Sequence, residues 1–193
     1  MTLPDRPTPV DVAGHMADRF DEDGLAYAFG GAMALGAWGV PRTTSDVDVS
    51  VFVPERDLPR ALDSVERAGA MVDRAEAART VARIGMFFAV LAGVRIDVFI
   101  AHHPMHADME RRRVALKTLD GTFRWFLSAE DVVLTKLIYG RAKDVADLQR
   151  LFAVRGDALD IEYAAAWLAK IVPPGDRRLA LLDELRRRFS TPG

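Results

Sequence analysis

The chain has 193 residues, half of them apolar and 28% charged, with a net charge of −2. This length fits one ordinary domain with a small helical extension, and the charge balance excludes a dedicated nucleic-acid coat while permitting a local basic patch. The absence of cysteine excludes disulfides, thiolate zinc sites and thiol catalysis, and no segment is long and apolar enough for a membrane span.

Met1–Pro7 is short, polar and proline-broken, unlike a signal peptide, so a bacterial-type cytoplasmic protein is expected. In chain order, Val12, Met16 and Phe20 mark one face of a helix over about Pro9 to Phe20, which Asp21-Glu22-Asp23-Gly24 ends. Leu25 to Phe29 reads as a strand. Gly30-Gly31 then opens a helix over about Ala32 to Trp38, whose first amides and dipole suit a phosphate, and Trp38 is expected in the core. Asp46 to Val53 is the second strand. Pro54 leads into a helix over about Leu58 to Ala68, capped by Gly69. Strands at about Ala82 to Leu91 and Val94 to Ile100, joined by an Ala92-Gly93 turn, complete a small mixed sheet.

After residue 105 the character changes, so a core over 1–105 and a helical region over 106–193 packed on it are expected. Arg111-Arg112-Arg113 and Lys117 are basic, and Gly121 to Leu127 is taken as the entry to helical structure. Ser128 to Asp131 reads as a capping box opening a helix that Gly140 stops. Further helices are expected over about Val145 to Val154, Ile161 to Ile171 and Asp176 to Phe189. Arg177-Arg178 and Arg186-Arg187-Arg188 suit a helix C-terminus. The Arg111 cluster is either a solvated helix face or an RNA contact.

The chemistry concentrates in two strands. Period-2 geometry puts Asp46 and Asp48 on one face and Val47, Val49, Val51 and Val53 on the other. Two carboxylates that close repel by about 1 kcal/mol in water and about 4 kcal/mol at an intermediate dielectric; a divalent cation reverses the sign. Mg²⁺ fits, being held by one or two carboxylates together with phosphates and water. Asp97 lies opposite Ile96, Val98 and Ile100, where an acid is costly unless it is paired or metal-bound. A salt bridge to Arg95 would not explain its presence in that strand, so Asp97 is the candidate third carboxylate and general base. His102, His103 and His106 have no thiolate partner, and the adjacent pair points apart. They are read as a loop near the site's mouth rather than a metal centre.

Gly30-Gly31, then Arg42-x-Thr44-x-Asp46-x-Asp48, then Arg95-Ile96-Asp97-Val98-Phe99 resembles the minimal nucleotidyltransferases of the polymerase-β-like superfamily. Within it, the likeness is to bacterial toxins of the AbiEii and MenT type. It continues through Phe126 to Asp131 with Lys136-Leu137 and through Gly140 to Leu148. The resemblance implies an α+β nucleotidyltransferase fold with a helical C-terminal region. It implies Mg²⁺, with Mn²⁺ as the alternative, on Asp46, Asp48 and Asp97, and an NTP as substrate. Gly30, Gly31, Arg42 and Ser45 would lie by the phosphates. Many members have Gly-Ser where this chain has Gly30-Gly31, so one hydroxyl contact is missing.

Lys136 either neutralises the triphosphate or snorkels from a half-buried helix. Asp144 either orients Lys136 or contacts the nucleotide, or else it is a helix N-cap; Asp147 ranks behind it. The resemblance makes the 3′ end of tRNA the leading acceptor, with a cognate antitoxin as protein partner. An aminoglycoside-type small molecule is the alternative acceptor, and a non-catalytic nucleotide-binding or partner module is the alternative class.

Overall fold

The computed structural model describes residues 3–189. The helices in chain order are α1 (Pro9–Glu22), α2 (Gly31–Ala37), α3 (Leu58–Arg67), α4 (Arg74–Ile84), α5 (Met105–Arg112), α6 (Ala129–Tyr139), α7 (Ala142–Arg155), α8 (Ile161–Ile171) and α9 (Arg177–Phe189). The strands are β1 (Tyr27–Phe29), β2 (Asp46–Pro54), β3 (Met86–Leu91), β4 (Val94–Ala101), β5 (Val114–Lys117) and β6 (Phe123–Phe126). The chain divides into two compact units, Met1–Met33 with Thr43–Leu127, and Ala34–Arg42 with Ser128–Gly193. Among the described residues no helix is long and apolar enough to cross a membrane.

The first unit holds one six-stranded sheet in the order β3-β4-β2-β1-β6-β5. β2 runs parallel to β4 and β1 parallel to β6, while the remaining neighbours are antiparallel. This is the mixed sheet of an α+β fold. Val47, Val49, Val51 and Val53 of β2 and Ile96, Val98 and Ile100 of β4 are buried, as their alternation requires. Val12, Met16 and Phe20 of α1 and Leu62 and Val65 of α3 join them in one apolar cluster. Thr8 starts α1 with a reciprocal capping box to Asp11, and Pro9 occupies the first turn, where a missing N–H costs nothing. Leu91 pairs with Val94 across Ala92 (φ 49°) and Gly93 (φ 83°), the two positive φ values of a type I′ hairpin.

Two elements differ from the sequence reading. The strand expected from residue 82 begins at Met86, because residues 74–84 are helix α4. Asp73 caps its start by accepting from the Glu76 amide, and Gly85 ends it at φ 70°. The segment taken as an entry to helical structure is instead β6, hydrogen-bonded to β5 in a hairpin and meeting β1 at Phe29 and Phe126. Its inward residue Arg124 is only 8% exposed and donates to Asp18 of α1 at 2.6 Å. A buried arginine breaks the apolar alternation by which a strand is recognised.

The second unit is helical. Ser128 caps α6 by accepting from the Asp131 amide, and Gly140 ends that helix at φ 58°. The expected capping box is altered: the Asp131 carboxylate takes the Ser128 hydroxyl at 2.7 Å and the Tyr163 hydroxyl at 2.7 Å. Trp38 is half-buried rather than in the core, with the Arg155 guanidinium 5.4 Å from its ring centre. Arg177 opens α9, so only Arg186, Arg187 and Arg188 lie in a last turn where cations complement the helix dipole.

Candidate functional site

In the first unit the parallel ladder sets Asp48 opposite Asp97 and Asp46 opposite Arg95. Register partners on adjacent strands share a face and lie about 4.8 Å apart, while residues two apart on one strand share it too. Asp46, Asp48, Arg95 and Asp97 therefore stand together on one face, opposite the buried valines. All three carboxylates are half-buried. The Thr44 hydroxyl donates to Asp46 Oδ1 at 2.5 Å, which fixes that carboxylate. Arg95 Nε donates to Asp97 Oδ1 at 2.6 Å, and its guanidinium carbon sits 4.1 Å from the centre of the Phe88 ring.

The glycine pair serves this face directly. Gly30 N–H donates to the Asp48 carbonyl at 2.9 Å, so that amide is already committed. Gly31 has φ 50°, and a Cβ added there would lie 1.8 Å from Asp48 Oδ2 and 2.6 Å from Cγ. Only a residue without a side chain lets the Asp48 carboxylate occupy its place. α2 itself runs only seven residues.

Among the described residues, no three His, Asp or Glu side chains converge closely enough to hold a metal as they stand. The hydrogen bonds give the reason: Asp46 is turned to Thr44 and Asp97 to Arg95. The donor set nevertheless suits a hard divalent cation, with three carboxylates on one face and no softer ligand beside them.

The second unit contains a separate charged cluster. Lys136 of α6, only 6% exposed, donates to Asp144 at 3.1 Å and to Asp147 at 2.7 Å. Arg42 Nε lies 3.3 Å from Asp147 Oδ2. Asp144 is not the N-cap of α7 but its third residue, accepting from the Arg141 amide at 3.2 Å and from Arg141 Nε at 2.7 Å. Burial alone would raise the Asp144 pKa, but the hydrogen bonds from Arg141 and Lys136 outweigh it and hold it below the ordinary carboxylate value. Lys136 is thus an ion-paired buried lysine rather than a snorkelling one. Asp147, ranked behind Asp144 by sequence, is the residue that links Lys136 to Arg42.

Ser45 is exposed in the segment preceding β2. His106 is 5% exposed, and burial pushes its pKa down to about 4. The arginine run is dispersed: Arg111 pairs with Asp108, while Arg113 lies half-buried with its guanidinium 4.4 Å from the Trp125 ring centre. Sequence reasoning gives Thr44 and Phe88 no role and discounts an Arg95–Asp97 salt bridge that the structure contains. Only the i, i+2 spacing of Arg95 and Asp97 signalled any of it.

No protein-family model and no curated protein matches the chain. Among solved structures it is similar to ANT(2″)-Ia in complex with adenylyl-2″-tobramycin, at 17% identity and a TM-score of 0.56, over 94% of this chain and 98% of that one. A solution structure of ANT(2″)-Ia, described as an antibiotic-resistance factor, aligns at the same identity and TM-score over 93% and 90%. The chain therefore has the nucleotidyltransferase fold.

Proposed function

We propose that the protein is a divalent-metal-dependent nucleotidyltransferase that moves an NMP from an NTP to an acceptor hydroxyl. The observation that carries this reading is the pairing of Asp48 with Asp97 across parallel strands, with Asp46 on the same face of a nucleotidyltransferase fold. Asp46 and Asp48 would hold the cation, Mg²⁺ or Mn²⁺, with Asp97 as third ligand. When bound, the cation stabilises charge on the attacking and leaving oxygens of an in-line displacement at the α-phosphorus. Asp97 accepts the proton of the acceptor hydroxyl. Gly30 and Gly31 leave the backbone bare beside Asp48, where phosphates would lie. Arg42 and Ser45 would lie near phosphate, Arg42 with a planar charged fork. Lys136 and Asp144 are the further nucleotide-binding candidates, and Lys136 is joined to Arg42 through Asp147.

For the acceptor, a small hydroxylated molecule of the aminoglycoside type is the first reading. It is supported by the likeness to ANT(2″)-Ia over nearly the whole of both chains. The tRNA 3′ end, with a toxin role and a cognate antitoxin, is the second. It is supported by the Arg42-to-Asp48 and Arg95-to-Phe99 patterns, while the dispersal of the Arg111 cluster weakens its phosphate grip. The test is incubation with each radiolabelled NTP and Mg²⁺, offering an aminoglycoside panel in one arm and total tRNA in the other. Label on a panel member supports the first reading, and label on tRNA the second. Asp46→Asn and Asp48→Asn are expected to abolish transfer with the fold intact. Wild-type transfer by both would overturn the assignment.

A further inference from the structure

Arg95 occupies an unusual position for a strand residue beside three acids. Its guanidinium donates to Asp97 Oδ1 at 2.6 Å, lies over the exposed Phe88 ring at 4.1 Å, and faces Asp46 across the ladder. We infer that Arg95 is a resident counter-cation of Asp97 that a divalent ion must displace, and that it thereby sets the metal affinity of the site. The inference rests on the metal-binding reading above and names a residue that reading leaves without a role.

The argument is one of competition for one oxygen. A metal ligated by Asp97 needs a lone pair on the carboxylate that Arg95 now holds, and a dication and a guanidinium repel at that distance. Without metal, Arg95 offsets the mutual repulsion of the three carboxylates. Its side chain is 54% exposed, so it can move aside without vacating a packed volume. The Phe88 ring gives it a place to stay, since a cation over an aromatic face is held by the ring's quadrupole. Phe88 is itself paired with Asp97 in the sheet register, and Arg95, two residues before Asp97 on β4, reaches both from the same face.

The experiment is a Mn²⁺ titration of the full chain read by the electron paramagnetic resonance of the unbound ion, with no nucleotide or acceptor present. Partly exposed ion pairs contribute up to about 1 kcal/mol, so Arg95→Met is expected to tighten Mn²⁺ binding by up to about fivefold. In an Asp97→Asn background the same substitution should change affinity by less than about twofold, because there is no longer a carboxylate to release. Circular dichroism checks that each variant is folded. Unchanged or weaker binding by Arg95→Met would overturn the inference. So would an equal gain in the Asp97→Asn background, which would mean a general field effect rather than displacement. Wild-type Mn²⁺ binding that Asp48→Asn leaves untouched would instead remove the metal site itself, and the inference with it.

Discussion

Gly31→Ala separates two costs that usually arrive together. The first is conformational: Gly31 has φ 50°, and an alanine in the left-handed region costs about 1–2 kcal/mol. Gly24 supplies the control, having φ 63° with nothing within 4 Å of its added Cβ. Gly24→Ala should therefore show the backbone cost alone. At Gly31 the new Cβ would also lie 1.8 Å from Asp48 Oδ2, so the carboxylate must swing away. Overpacking costs about 1–3 kcal/mol in a core, and a half-buried carboxylate belongs at the lower end. For a domain of this size about 1 kcal/mol moves Tm by roughly 2–4 °C. Gly31→Ala is then expected to lower Tm by about 1.5 to 2 times as much as Gly24→Ala. Transfer should fall by about 100-fold, the effect of displacing a reacting group by about 1 Å. Thermal melts and a labelled-NTP assay read the two effects. Adding Asp48→Ala to Gly31→Ala should recover the steric part of the Tm loss but no activity. If Gly31→Ala matched Gly24→Ala in both stability and rate, Asp48 would not depend on the bare glycine, and the reasoning would be wrong.

Other expectations follow from the buried charges. Lys136→Met leaves Asp144 and Asp147 buried without their shared ammonium, and is expected to cost about 3 kcal/mol in urea unfolding; a loss under about 0.5 kcal/mol would show that the cluster is solvated. Asp144 has a lowered folded pKa, so its stabilisation is full above its unfolded value and fades as pH falls through the folded one; Asp144→Asn should lower Tm at pH 7 and much less at strongly acid pH. His106 falls from 6.5 to about 4 on folding, so the unfolded chain binds the proton preferentially between those values. Stability should drop by about 3 kcal/mol as pH falls through that window, and His106→Gln should flatten that part of the Tm-against-pH curve.

What could be read from the sequence was what local pattern dictates. β2 and β4 carry valine or isoleucine at every second position, with Asp46, Asp48, Arg95 and Asp97 between them, so the common face of the three acids follows from period 2 alone. α6 was bracketed by Ser128 and Gly140, both visible caps. α4 carried equivalent signals in Asp73 and Gly85, but the apolar run after residue 85 drew the strand boundary upstream over its last turn. β6 stayed hidden because Arg124 points inward to Asp18, a partner far away in sequence. The Lys136 cluster failed for the same reason: burial by distant segments decides whether a lysine snorkels or pairs, and no local spacing records it. Arg95 was within reach, but its pairing with Asp97 was set aside as an explanation of the acid rather than considered as a property of the arginine.

The parallel join between β2 and β4 also governs when this protein can begin to work. Antiparallel hairpins such as β3–β4 close through a short local loop, but β2 meets β4 only after α3, α4 and β3 have been threaded between them. Such long-range pairings cost loop entropy before they return any contact, and they form late. Asp48 and Asp97 become neighbours in that step and no earlier. During synthesis, a chain that has emerged only as far as β3 carries the Asp46–Asp48 pair but no third acid. The parallel contact of Phe29 with Phe126 waits still longer, until β6 has been made. The three-carboxylate face is therefore complete only once β4 has joined β2, and a nascent chain that stops short of β4 carries two of its three acids.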